Sequence, residues 1–469
     1  MRRLVVLHSN DIHGRVDALA RIATLVERAR AEAGDAAVLY VDAGDVEDTT
    51  ERLSNLTKGV ALHRLLRVAG CQAVAVGNGT VIRYGVDPLV EQAAASGYPH
   101  LAANLQRDGE VVPGAQARAL LDVDGVRVGL VGLTPTEWRD LYTDALDVEL
   151  PDELPLVREH TDVLWAEGAD LVILLSHVGI ERDRDLAAEL DGEITLIVGS
   201  HSHTLLEDAE RIGRVTIVQA GQFGTHLGRV ELELDDVRPQ VVSARAEPVP
   251  SATPAHPGVA AELERIESEL ADRLGQPRGE LTGPLELAFD RECPAVAFVA
   301  DVVRERMDAA IGVVTAGVAL VSSLHAGRLT RGRLYEACPS PGVSSVATLT
   351  GAQLVELVQR GLDAERAAET IRSLRGVPRG LAHLSGAEVR EGTLWVGGEP
   401  VDRDHTYRVA GTDWELGTYG GYADPEWNLE VVYDGTTIIR EAIEDHFRRH
   451  APIDPPRPRI HGDLCAVSD

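Results

Sequence analysis

The sequence predicts an α/β fold in two domains, and three observations carry that prediction. Apolar runs of strand length recur through the first half at 3–7, 37–41, 72–76, 170–175 and 194–198, each followed closely by Asp, Asn or His. Segments of helical pattern at 16–33, 57–69 and 88–95 separate the early runs, which is the alternation of a parallel sheet. A chain of 469 residues exceeds what one ordinary core serves, and Pro248, Pro250, Pro254 and Pro257 mark a place for it to divide.

The run at 3–7 leads into His8-Ser9-Asn10-Asp11-Ile12-His13-Gly14, the pattern of a buried strand delivering polar side chains at its carboxyl edge. Open α/β sheets place their sites there. Asp11 and His13 are two apart, so in an extended or gently turning segment both project to one side and can bind one ion. The next runs lead into Asp42-Ala43-Gly44-Asp45, Gly77-Asn78, Ser176-His177 and Gly199-Ser200-His201-Ser202-His203. Singly, each has an ordinary reading: a helix N-cap for Asp, a hydrogen-bonded polar residue for a lone His, chance for His-x-His among 16 histidines. Their recurrence at successive strand ends is what argues for a site, and an Asp, Asn and His set without thiolate suits Mn, Fe or Zn.

Residues 126–133 read as a further strand ending at Thr134-Pro135, and 157–165 as a helix. Residues 215–218 and 228–234 read as closing strands, with Gly221 and Gly224 permitting a tight approach between them. The first domain should span 1–245, followed by a linker at 246–283 with a helix at 258–275, and a second domain at 284–469. There, 296–310 has an amphipathic helical pattern and 311–318 that of a strand.

These motifs resemble the calcineurin-like metallophosphoesterases, specifically the two-domain 5′-nucleotidase and 2′,3′-cyclic phosphodiesterase group. The marks of that group are Asp-x-His, Gly-Asp, Gly-Asn-His-Asp/Glu, a lone His and Gly-His-x-His. Here they stand as Asp11-Ile12-His13, Gly44-Asp45, Gly77-Asn78-Gly79-Thr80, His177 and Gly199-Ser200-His201-Ser202-His203. The resemblance implies a four-layer αββα metallophosphoesterase sandwich followed by a smaller α+β 5′-nucleotidase C-terminal-type domain. It implies that Asp11, His13 and His203 hold one divalent metal ion (Mn, Zn or Fe), that Asn78, His177 and His201 hold a second, and that Asp45 bridges them. Two such ions, roughly 3.5–4 Å apart, acidify a shared water and clamp a phosphoryl centre. Phosphoester hydrolysis of a nucleotide or another small phosphorylated molecule is the implied reaction.

The departures from that pattern are as informative as the matches. After Asn78 the family places a His that stabilises or protonates the leaving group, and this chain has Gly79. Losing such general-acid help typically forfeits about 10²–10⁴ in rate, most for alkoxide leaving groups. A retained activity would then favour good leaving groups or use another acid, for which Arg83, Tyr84 and His226 are candidates. In the second domain, Thr315-Ala316-Gly317-Val318-Ala319 stands where the family has Asn-x-Gly-Gly-Ile-Arg, and Ser340-Pro341-Gly342-Val343 where it has Pro-Phe-x-Asn. Leu329-Thr330-Arg331-Gly332-Arg333-Leu334, Thr350-Gly351-Ala352-Gln353-Leu354 and Tyr407-Arg408-Val409-Ala410 match its landmarks. Tyr419-Gly420-Gly421-Tyr422 resembles the turn bearing a stacking aromatic, so Tyr422 reads either as a base platform or as a packed turn residue. Arg331, Arg333 and Trp414 could build a different pocket.

Three functions fit: a phosphoester hydrolase, a catalytically weak or inactive metal- or nucleotide-binding protein, and a metallohydrolase of another bond. The full ligand set favours the first, because buried acidic and His clusters are costly without their metal. A formal charge of −30 argues against nucleic acid polymers and anionic membranes as partners. No apolar run reaches about 20 residues, so no membrane span is expected. Met1-Arg2-Arg3 leads straight into the first strand with no room for a signal peptide, and Cys71, Cys293, Cys338 and Cys465 are scattered, as reduced thiols are. These features predict a cytoplasmic protein and leave the oligomeric state open.

Overall fold

The computed structural model describes residues 2–48, 51–137, 146–235, 239–340, 342–370, 377–417 and 420–461, with the backbone alone for 80, 83 and 436. Packing divides the chain into Met1–Ser268 and Glu269–Asp469. The division falls inside the helix Pro257–Gly275.

The first unit holds two six-stranded sheets. One runs in the order Pro239–Pro248, His226–Leu234, Arg2–Ser9, Ala37–Asp42, Ala73–Ala75, His100–Leu101. The other runs Glu210–Ile212, Val215–Val218, Leu196–Gly199, Leu171–Ser176, Val126–Leu133, Arg118–Val123. Alternate strand residues face opposite ways. Thus Leu4, Val6, Leu39 and Val41 of the first sheet meet Leu130, Ile173, Leu175 and Val198 of the second in one core. Val131, Val172, Leu174 and Ile197 face outward onto Val157 and Leu164 of the helix Glu153–Ala166 and Leu186 of the helix Ile180–Glu189. The helix Val16–Glu32 covers the first sheet from its other side, which completes a four-layer αββα sandwich.

Register brings the ligand-type residues to common edges. In the first sheet Ser9 pairs with Asp42 and Asp42 with Val74, all in parallel strands. In the second, Ser176 lies between Leu133 and Gly199. The polar segments that follow therefore emerge side by side.

Some boundaries differ from the sequence expectation for identifiable reasons. The helix expected over 57–69 starts at Val60 and runs to Val68, because Lys58 and Gly59 adopt left-handed φ of 48° and 84° and end a separate helix, Arg52–Thr57, before it. Pro239–Pro248 is an edge strand paired along His226–Leu234, so the sheet runs past residue 245 and includes Pro248. Its alternation is faint because both faces are half-exposed. Gly224 permits approach to a helix, not between closing strands: a Cβ there would lie 2.9 Å from Ala18 Cβ.

The second unit is built on a five-stranded sheet in the order Ala382–Ser385, Ile311–Thr315, Thr406–Thr412, Val343–Thr350, Val432–Ile438. The helices Pro294–Arg306 and Ile439–His450 pack on one face through Phe298, Val302, Ile443 and Phe447. The helix Gly351–Leu362 packs on the other through Leu354, Leu357 and Val358, and starts from a Thr350–Gln353 capping box. The strand expected to 318 stops at Thr315 and turns into the short helix Ala316–Ala319. Cys71, Cys293 and Cys338 are buried free thiols, and Cys465 lies outside the described residues. Among the described residues no helix is long and apolar enough to cross a membrane.

His8 shows how tightly the first sheet is fitted. It pairs with Gly228, and a Cβ at 228 would lie 1.8 Å from His8 Nε2. Neither ring nitrogen has a hydrogen-bond partner, and burial pulls the imidazole pKa down to about 3. Gly228→Ala should therefore destabilise the first unit by about 1–3 kcal/mol, read as a lower denaturant midpoint. Because the folded pKa lies below the unfolded one, the unfolded chain binds the extra proton between pH 6.5 and 3. Stability should fall with pH through that window, and the slope should be shallower in His8→Leu.

Candidate active site

Asp11 is fully buried at the end of Arg2–Ser9. Its Oδ2 accepts from Asn10 Nδ2 at 2.8 Å, Ser200 Oγ at 2.8 Å and the backbone N of His201 at 3.1 Å. Its own N–H donates to Gly44 O at 2.9 Å. Three donors replace the water that a carboxylate loses in the interior.

Around it stand the histidines. His13 donates Nδ1–H to Glu47 O at 3.3 Å, which leaves Nε2 pointing at His203 Nε2, 3.1 Å away. Those two nitrogens lie 3.8 and 3.5 Å from Asp11 Oδ1, so Asp11, His13 and His203 offer three ligand atoms within 4.8 Å of one another. Burial pulls His203 below its usual pKa, with His13 and His201 adding to that effect against Asp11.

Asp45, His177 and Asn78 form the adjoining part. Asp45 Oδ1 accepts the Gly79 N–H at 2.8 Å, and Oδ2 lies 3.4 Å from His177 Nε2. His177 Nδ1–H donates to Ala43 O at 2.7 Å, which fixes the ring and turns Nε2 towards the carboxylate. Burial opposes charge on both partners, yet their attraction prevails: the His177 pKa is raised to about 9 and that of Asp45 is lowered. Asp11, Asp45 and His177 again bring three ligand atoms within 4.8 Å, all from buried residues. Asp11 is thus common to both groups, whereas Asp45 groups with Asp11 and His177. Gly77 is required for this fit, since a Cβ there would lie 2.1 Å from Asp45 Oδ1.

Among the described residues, two buried ligand-type atoms here have no hydrogen-bond partner, His177 Nε2 and Asn78 Oδ1. Asn78 Oδ1 can coordinate a metal through a lone pair, as can His177 Nε2 once a cation displaces its proton, and buried polar atoms otherwise find partners. The donor set therefore fits divalent cations of the borderline class. His201 stands beside it, its ring 5.3 Å from that of His177, with Nε2 3.1 Å from Glu137 Oε2.

Other expected residues are placed differently. The Arg83 side chain lies outside the described residues. His226 begins the strand His226–Leu234, and its Nδ1 meets Thr225 Oγ1 at 3.1 Å; it is in neither ligand group. Tyr422 is 1% exposed, with the Arg366 and Arg379 guanidiniums 5.5 and 5.7 Å from its ring, and a base would have to displace them to stack there. Arg331 is engaged by Glu444 at 2.5 Å, and the Arg379 guanidinium lies 5.6 Å from the Trp414 ring. Arg333 donates its backbone N–H to Thr330 Oγ1 as part of a helix cap.

Sequence reasoning missed several supports. Asn10 donates to Gly221 O and accepts from Ala220 N, and Ser200 donates to Asp11. Both adjoin ligand-type residues, which is the signal that could have found them. Asp42, pushed up to about 8 by burial, holds the Gly44 N–H and the Ser9 hydroxyl. Glu137 follows a strand end with no motif to mark it.

Known proteins resemble this chain in sequence and in fold. Residues 279–424 match the family model of the 5′-nucleotidase C-terminal domain. The uncharacterized metallophosphoesterase YunD of Bacillus subtilis is 27% identical over 430 residues, covering 88% of this chain and 92% of YunD. The 5′-nucleotidase of Diplobatis ommata is 28% identical over 337 residues, 62% of this chain, and the match spans 57% of that relative's length. The crystal structure of the 5′-nucleotidase precursor from Thermus thermophilus shares the fold, with a TM-score of 0.60 at 22% identity over 98% of this chain and 99% of that one. Residues 279–424 thus carry a 5′-nucleotidase C-terminal domain, and the chain as a whole is similar in sequence to proteins named metallophosphoesterase and 5′-nucleotidase and shares the two-domain fold of the solved 5′-nucleotidases.

Proposed function

We propose that this chain is a dinuclear metal-dependent phosphoester hydrolase acting on a nucleotide or related small phosphorylated molecule. Asp11, His13 and His203 would hold one divalent ion, Asn78, His177 and His201 the other, and Asp45 would serve both. The observation that carries this reading is the pair of partnerless buried atoms, His177 Nε2 and Asn78 Oδ1, beside a buried carboxylate. When bound, the ions would supply Lewis acidity to a phosphoryl oxygen and lower the pKa of water.

The chain's own residues account for the rest. The Gly79 N–H and the His177 ring orient Asp45, Ala43 O sets the His177 tautomer, and Glu47 O does the same for His13. Position 79 carries no side chain, so it gives the leaving group no proton. The activity should therefore favour stable leaving anions. That same absence supports the second reading, a weakly active metal- or nucleotide-binding protein. The buried free thiols suit the cytoplasmic location proposed from the sequence.

With Mn²⁺ added, an aryl phosphodiester, an aryl phosphomonoester and AMP should separate the two readings. Hydrolysis is expected, and Asp45→Asn should lower it more than about 100-fold. Protein shown to carry two metals yet inactive on all three substrates would favour the binding role. Aryl rates should exceed the AMP rate by about 10² or more, and comparable rates would refute the leaving-group argument. Gly79→His should raise the AMP rate more than the aryl rates. A Cβ at 79 would sit 3.0 Å from Asp45 Oδ1, so the carboxylate must yield only slightly.

A further inference from the structure

The second unit carries its own cluster of ligand-type side chains. Glu305 lies in the last turn of Pro294–Arg306, and His446 and His450 lie four apart on Ile439–His450. One ligand atom from each falls within 4.8 Å of the other two. His450 Nε2 is 2.7 Å from Glu305 Oε1, and His446 Nδ1 is 3.3 Å from Glu305 Oε2. The two imidazole centroids are 4.4 Å apart.

From this geometry we propose that Glu305, His446 and His450 form a site for a borderline divalent cation of the zinc type. Histidines at i and i+4 share one helix face, which is how helices present paired imidazoles to zinc. Tetrahedral zinc ligands at ≈ 2.0–2.1 Å lie roughly 3.3–3.4 Å from one another, close to the spacings already present. His446 is 8% exposed and its Nδ1 has no hydrogen-bond partner, an orphaned donor atom directed at the carboxylate. The Glu305 side chain is 34% exposed and borders a cleft of about 580 Å³, through which an ion can enter.

The surrounding charges permit a cation. Arg306 is held by Asp434 and Asp445, Arg448 by Asp445, and among the described arginines only Arg449 reaches Glu305, at Oε1 and 3.1 Å. Oε2 still faces His446. The cluster also lies at the C-terminal ends of two helices, whose carbonyls favour positive charge. A bound ion would tie these two helix ends together.

The test uses the full-length chain stripped by chelator, loaded with Zn²⁺ and dialysed, with zinc counted by elemental analysis. Wild type should retain one equivalent more than His450→Gln, His446→Gln or Glu305→Gln, whatever the first unit binds. Zn²⁺ should raise the melting temperature of wild type beyond that of His450→Gln, with hydrolysis unchanged by that variant. Should His446→Gln fail to fold, the other two substitutions still decide. Equal zinc content in wild type and His450→Gln would overturn the proposal and leave a His–Glu–His charge cluster. Loss confined to one of the three substitutions would overturn it too.

Discussion

The first unit depends on one buried carboxylate. Asp11 ties the end of the Arg2–Ser9 strand in one sheet to the Ser200-His201 turn that leaves the Leu196–Gly199 strand in the other. Its backbone oxygen takes the Phe223 N–H at 2.7 Å, which draws in a third loop. An isolated ion in such a place would be driven to neutralise. Here the donors come from the chain's own turns, so loop geometry and the carboxylate's charge support each other.

That arrangement stores strain. Asp11, His13, Asp45, His201 and His203 all have left-handed backbone, with φ between 48° and 72°. Each such residue costs about 1–3 kcal/mol unless its surroundings over-determine it. They do so here through a short backbone ladder: Asp11 N to Gly44 O, His13 N to Asp45 O, Gly14 N to Val46 O, at 2.8 to 3.0 Å. The two loops thus pair beyond the ends of their strands. Side chains held this way are positioned by the fold before any ligand arrives, which is the arrangement catalysis rewards.

The strands and most helices were legible because burial follows period: Leu4, Val6, Leu39 and Val41 face one core. The ligand-type residues were legible because each follows such a strand, and the resemblance tied them into one set. What the sequence hid was set by three-dimensional partners. The left-handed conformation of Lys58, which delays the start of the expected helix to Val60, has no residue-type signature. Tyr422 sits in a glycine-rich turn that suggests exposure, yet Arg366 and Arg379 close over its ring. His226 follows the glycine-bearing loop at 219–225, and its ring turns to Thr225. Pro239–Pro248 is an edge strand, and edge strands carry the weak alternation and proline that read as linker.

The two histidine–carboxylate clusters show why one was readable and the other was not. In the first unit, Asp11 and His13 share a segment and every other ligand-type residue follows a strand, so the chain order itself advertises the site. In the second, Glu305 and His450 are 145 residues apart, and only the packing of Pro294–Arg306 against Ile439–His450 joins them. Phe298 and Phe447, with ring centroids 5.3 Å apart, fix that packing, and Phe298 also meets the edge of His446. The apolar contact that builds the core therefore also sets the distance between the polar groups at its rim. Glu305, His446 and His450 all lie on regular helix and none has a left-handed φ. Three ligand-type atoms can therefore converge without stored strain when rigid elements carry them. In the first unit Asn78 opens the helix Asn78–Tyr84 but the other ligand-type residues stand on loops, and the price of their convergence is the strained backbone that the inter-loop ladder holds in place.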